Sequence, residues 1–258
     1  MNSFYLILIF LQLSLYRISS SKIPIDSCSP PCARIGLIYP NLVSKNDSSK
    51  YEMDHIGNQY LQAFKMAVDD INEKKYIKEF PSITISYVAY GVAIPFIDDI
   101  NAAIDMNTVL GKNKNVSVHA MVASANNIAS NAAAQIDNHF KMTQVAYGST
   151  GSFLSYVGPY PYYVRTCPND AFQGKILANL AFNKFNWLSV TTFNTLDTNG
   201  YGTDGVQQFI LEATNLGITI LSSHQFRPGE NLNRVITEAK KFGARIFLIF
   251  MDTSDTAR

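Results

Sequence analysis

Asn199-Gly200-Tyr201-Gly202-Thr203-Asp204-Gly205 stands between an apolar, β-branched run over 187–193 and a helical pattern over 206–216. Its glycines fit G-x-G-x-x-G. That spacing cradles a dinucleotide phosphate when the strand ends at the first glycine and an acid follows about twenty residues on. Both conditions fail here. The strand ends near Phe193, residues 194–199 intervene before Gly200, and the next strand runs into Ser222-Ser223-His224 with no acid. What remains is a strand, a glycine-rich loop and a helix: one βα unit without a nucleotide.

The same unit recurs outward in both directions. A strand over 33–39 ends at Pro40, and Ile56, Tyr60, Phe64, Val68 and Ile71 recur at helical spacing. A strand over 83–87 precedes a helix over 97–110 that Gly111 closes, and a strand over 117–123 precedes a helix over 128–140. A short strand follows at 144–147. Gly151, Gly158, Pro159, Pro161 and Pro168 then mark a loop-like crossing. Beyond it the spacing predicts helices over 172–182, 206–216 and 232–242, and strands over 188–193, 218–222 and 246–251. Thr253 or Ser254 fits an N-cap for a further helix. Repeated βα units predict an α/β fold with parallel sheets flanked by helices.

Composition narrows the class. Residues 4–15 form an apolar run of signal-peptide length, followed by Ser19-Ser20-Ser21. The mature chain is therefore expected in the secretory pathway, at the extracellular face of a membrane. Asn46 and Asn115 open glycosylation triplets there. Cys28 and Cys32 could close a small disulfide loop, which leaves Cys167 over. Twenty-one basic and 20 acidic residues give a net charge of +1, with no basic patch for nucleic acid. The four histidines share no ligand spacing, and no P-loop, H-E-x-x-H or G-x-S-x-G elbow occurs. No catalytic residue, metal or cofactor is called for.

Three further stretches carry a resemblance. Residues 57–72 form a helix that is glycine-rich at its start and ends Asp70-Ile71-Asn72, Tyr147-Gly148-Ser149-Thr150-Gly151-Ser152 is a serine/threonine loop, and 160–173 reads YPYYVRTCPNDAFQ. With Tyr201-Gly202-Thr203-Asp204-Gly205 they resemble the extracellular ligand-binding region of natriuretic-peptide, metabotropic glutamate and GABA receptors. The bacterial branched-chain amino-acid binding proteins share that region, the periplasmic binding fold of type I. The resemblance runs from about Arg34 to Arg258. It implies two lobes closing on a ligand in the cleft between them. The expected organisation is a signal peptide over 1–21, a Cys/Pro-rich segment over 22–33, a first lobe over 34–150, a crossing over 151–168, and an incomplete second lobe over 169–258.

The resemblance also implies a site. Gly148, Ser149 and Thr150 fall where relatives hold a ligand carboxylate, and Asn127 falls at a contacting position before a helix. Asp170 would meet an amino group, with Tyr201 packing beside it. The residues alone leave other roles open, since Asp170 fits an N-cap for a helix from Ala171 and Asn127 fits a helix cap. The function expected is the ligand-binding region of a class C G-protein-coupled or guanylate-cyclase-like receptor. It would take a small molecule such as an amino acid or amine. The resemblance further implies a dimer through the first lobe, and a membrane segment is expected beyond Arg258. A soluble solute-binding protein for a transporter and a secreted α/β enzyme are the alternatives. The chain is expected to be a fragment that does not fold alone.

Overall fold

A computed structural model describes residues 31–40, 42–44, 51–53, 55–75, 83–92, 97–107, 118–196, 200–227, 230–243 and 245–251. The expected signal peptide, Cys28, Asn46, Asn115, Gly111 and the cap at Thr253 or Ser254 lie outside them.

In chain order the elements are β1 (Cys32–Pro40), β2 (Leu42–Ser44), β3 (Tyr51–Met53), α1 (His55–Asn72), β4 (Thr84–Val92), α2 (Ile97–Asn107), β5 (Ala120–Val122), α3 (Asn127–Phe140) and β6 (Thr143–Ala146). A 3-10 turn (Ser152–Ser155), β7 (Tyr163–Arg165) and α4 (Asp170–Asn179) with its π turn (Leu180–Lys184) follow. The rest is β8 (Ser189–Thr195), α5 (Tyr201–Leu216), β9 (Thr219–Phe226), α6 (Leu232–Lys241) and β10 (Phe247–Phe250). Among the described residues the two larger sheets are ordered β4-β1-β5-β6-β7 and β10-β8-β9. Every pairing within them is parallel.

Burial of alternate residues explains the layering. Successive side chains of a strand point to opposite faces, yet Leu37 and Ile38 of β1 are both buried. Leu37 packs with Leu61 of α1, and Ile38 packs with Met106 of α2 and Ala133 of α3. The first sheet is thus covered on both faces. The second repeats this: Val190 meets Phe209 and Ala213 of α5, and Phe193 meets Val235 and Ala239 of α6. The Asp70-Ile71-Asn72 ending also has a physical role. Asn72 donates to the carbonyl of Ile85 (2.9 Å) and accepts from its amide (2.7 Å). Its side chain thereby stands in for a strand beside β4.

Three expectations change. The 151–168 crossing contains β7, which extends the first sheet by pairing Gln144, Val145 and Ala146 with Tyr163, Val164 and Arg165. β7 is a three-residue edge strand whose Val164 is exposed, so it lacks an apolar pattern. The glycine-rich loop is mostly helix, because α5 begins at Tyr201 rather than Val206. Only Gly200, with φ of 76°, makes the left-handed turn into it. Gly202 brings α5 against β8 and β10, since a Cβ there would lie 2.6 Å from the Thr195 carbonyl oxygen and 3.0 Å from that of Phe250. Finally, a two-stranded antiparallel ladder, β2 with β3, precedes α1, where no strand was predicted. Cys32 is disulfide-bonded and Cys167 has a free thiol.

Candidate functional site

In parallel sheets the strand ends that run into helices gather along one edge, and ligands sit beyond it. Along this edge of the first sheet lie the β5–α3 loop, the loop after β6 and the β7–α4 loop. Each begins where a strand's backbone bonding stops, and the first and third lead into a helix N-terminus.

The helix caps decide which side chains are left for a site. Asn126 caps α3, accepting from the amides of Ile128 (2.9 Å) and Ala129 (3.0 Å). Asn169 caps α4, accepting from the amide of Phe172 at 3.2 Å. Each cap falls one residue earlier than the alternative roles required. Asn127 and Asp170 are therefore first-turn residues, not caps.

Asn127 is buried and accepts from the Gly151 amide (2.9 Å), tying α3 to the loop after β6. Ser149 is fully buried as well. Its hydroxyl donates to the carbonyl of Ser124 (2.9 Å), with that of Asn126 at 3.1 Å. Having given its proton there, it accepts from the Ser130 hydroxyl at 2.6 Å. The Ser149 side chain thus faces back toward α3 and the first sheet and positions the loop from behind. Arg165, at the end of β7, braces the other side. Its guanidinium donates to the carbonyls of Ser149 (3.1 Å) and Gly151 (3.0 Å). Gly148 lies against Ala125, and a Cβ there would lie 3.1 Å from the Ala125 Cα.

Asp170 closes the cluster. Its amide donates to the Thr150 carbonyl at 2.8 Å. Its side chain is 1% exposed, and Oδ2 has no hydrogen-bond partner among the described residues. Burial raises its pKa to about 6. The Thr150 side chain opposes the rise by hydrogen bonding, the Asp204 carboxyl adds to it by its charge and by a hydrogen bond that the protonated Asp170 makes to it, and Arg165 opposes it. Tyr201 opens α5, and its hydroxyl exchanges hydrogen bonds with the Gln173 amide group at 3.2 and 3.3 Å. Gln173 lies three residues beyond Asp170, on the same side of α4. The ring of Tyr201 packs toward Phe250 at 6.0 Å.

Gly148, Ser149, Thr150, Asn127 and Asp170 therefore share one loop cluster, and Tyr201 reaches it through Gln173. Sequence reasoning missed Arg165, Ser130 and Asp204. Arg165 and Asp204 both lie inside quoted stretches, but neither spacing says what they touch. Among the described residues no group of three His, Cys, Asp or Glu could hold a metal ion, and no helix is long and apolar enough to cross a membrane.

Two parallel α/β units whose strand-end loops gather in one cluster present an arrangement suited to holding a ligand beyond the strand ends. The chain belongs to the receptor family ligand binding region, whose pattern matches residues 59–258. It is similar to the extracellular calcium-sensing receptors of Homo sapiens, Mus musculus and Bos taurus. Each is 25% identical over 217 residues, which is 77% of this chain and 19% of the receptor. The chain thus spans about a fifth of the length of these relatives.

Proposed function

We propose that this chain is the extracellular ligand-binding region of a membrane receptor of the class C G-protein-coupled or guanylate-cyclase-like kind. It binds an amino acid or small amine between its two lobes. The observation that carries this reading is the unpartnered carboxylate oxygen of buried Asp170. A buried acceptor without a donor costs about 1–3 kcal/mol, and a ligand ammonium supplies the donor. The Tyr201 hydroxyl reaches the same side of α4 through Gln173. The backbone amides of the Gly148–Ser149–Thr150 loop and the N-terminus of α3 at Asn127 supply donors for a ligand carboxylate. Ser149 contributes its backbone there, because its hydroxyl is engaged within the lobe. In this reading residues 1–21 are a signal peptide, Cys28 pairs with Cys32, and Asn46 and Asn115 carry glycans. The first lobes associate in a dimer, and lobe closure passes the signal to a membrane segment elsewhere in the receptor.

Calorimetric titration with the common amino acids, simple amines and Ca²⁺ tests this on the wild type and on Asp170→Asn. An amino acid or amine is expected to bind the wild type. Affinity should fall about ten- to a hundredfold in Asp170→Asn, the worth of a charge-assisted hydrogen bond. Equal affinity in both proteins would remove Asp170 from the site. Binding of Ca²⁺ alone would replace the amine by a metal ion.

A further inference from the structure

We infer that Asp204 clasps the ligand loop of the first lobe to the second, and that a cation at Asp170 tightens this clasp. The inference rests on the reading of Asp170 as the cation-binding group.

The contacts are specific. Asp204 lies in the first turn of α5, where the helix N-terminus favours a negative charge. Its Oδ2 accepts from the Ser152 amide at 2.6 Å and its Oδ1 from the Ser152 hydroxyl at 2.6 Å. Gln208, one turn further along α5, donates to the same hydroxyl oxygen (3.0 Å) and to Asp204 Oδ1 (3.3 Å). One carboxylate thus takes both donors of a residue between β6 and β7 of the first sheet, across 52 positions of sequence. Charge-assisted bonds of this length are about twice as strong as neutral ones.

The clasped residue stands two positions beyond Thr150, whose carbonyl accepts from the Asp170 amide. The segment 150–152 is therefore held at one end by Asp170 at the start of α4, and at the other by Asp204 in α5. The groups facing Asp170 are the Thr150 side chain, the Asp204 carboxyl and the Arg165 guanidinium. Two carboxylates that hold one short segment from either end oppose each other. A cation on Asp170 cancels one of them, so the Asp204–Ser152 bonds strengthen when it binds. By reciprocity, an intact clasp raises affinity for the cation. Asp204 is a positioning residue in this scheme and needs no contact with the ligand.

Hydrogen exchange at the Ser152 amide, measured on the full chain without ligand, tests the coupling. Asp204→Ala should speed exchange about tenfold or more, and Ser152→Ala, which keeps the amide but removes the hydroxyl donor, should speed it less. Asp170→Asn, which removes the neighbouring charge, should slow exchange below the wild-type rate. Wild type at pH 5, corrected for intrinsic exchange, should show the same slowing without a substitution that could disturb folding. Unchanged exchange in Asp204→Ala would overturn the clasp. Unchanged or faster exchange in Asp170→Asn and at pH 5 would overturn the coupling. Because no ligand is present, failure to find an amine in the calorimetric series counts against the ligand alone.

Discussion

Replacing Asp137 by asparagine is expected to flatten the dependence of stability on pH and to stabilise the chain above neutrality. Asp137 is 1% exposed and lies in α3 against α2, with its pKa pushed up to about 7 by burial; a hydrogen bond from Asn107 offsets part of the rise. Asn107 donates to its Oδ1 at 2.6 Å. The other oxygens of the pair, Asp137 Oδ2 and Asn107 Oδ1, are buried without partners among the described residues. Both are acceptors while the acid is ionised. A proton on Asp137 supplies the missing donor and closes an acid–amide pair.

The sign follows from the raised pKa. Between about pH 4 and 7 the folded chain keeps a proton that the unfolded chain has lost. Stability from this group is therefore complete below about pH 4 and declines until about pH 7. A rise from 3.8 to about 7 corresponds to an upper limit of about 4 kcal/mol. Asn at 137 carries the second donor permanently. Urea unfolding midpoints of the complete extracellular region from pH 4 to 8 should converge at the acid end and separate toward pH 8, with Asp137→Asn the more stable. The difference between the proteins is the quantity to read, because Asp170 titrates in the same direction in both. A difference that does not change with pH would mean that Asp137 is not held as the neutral acid.

The second large effect is expected at Gly57, in the first turn of α1. A Cβ there would land on the Pro40 carbonyl oxygen at the end of β1. Neither partner is the free end of a flexible side chain, so Gly57→Ala must push the helix from the sheet. It should cost about 3 kcal/mol or more, at the upper end for overpacked sites. Gly158 is the control, since a Cβ there meets nothing within 4 Å, and Gly158→Ala should stay within about 0.5 kcal/mol of wild type. Thermal unfolding of both variants checks this. Equal midpoints would contradict the close approach of α1 to β1.

These residues also show what sequence can and cannot carry. The βα alternation was legible because a strand covered on both faces, such as β1, makes a near-continuous apolar run, and β8 carries a β-branched one. β7 was not, since an edge strand with one face in solvent needs no such run. The start of α5 was hidden by Gly202 and Gly205, which are poor helix formers and serve close packing against Thr195 and Phe250. Each cap was displaced by one residue because Asn126-Asn127 and Asn169-Asp170 offer two capping residues in succession. The candidate loops were legible from their motifs. The bonds that orient them were not: Ser149 turned toward Ser130, and Asp204 on Ser152, are juxtapositions made only when the chain folds. Asp137 carried no signal, because an acid in a helix ordinarily marks the solvent face.

The central claim is that the buried carboxylate of Asp170 receives the cationic group of a ligand. Its most direct test is the affinity for the tightest-binding amino acid or amine, measured calorimetrically from pH 5 to 8 on wild type and Asp170→Asn. The ligand ammonium stays charged over that range. Asp170, with a pKa of about 6, loses its charge below it. Wild-type affinity should be level above about pH 7 and fall toward tenfold per unit below pH 6, as competition with one proton requires. Asp170→Asn should bind weakly and show no such fall. Affinity that holds steady or rises on acidification of the wild type would contradict the account.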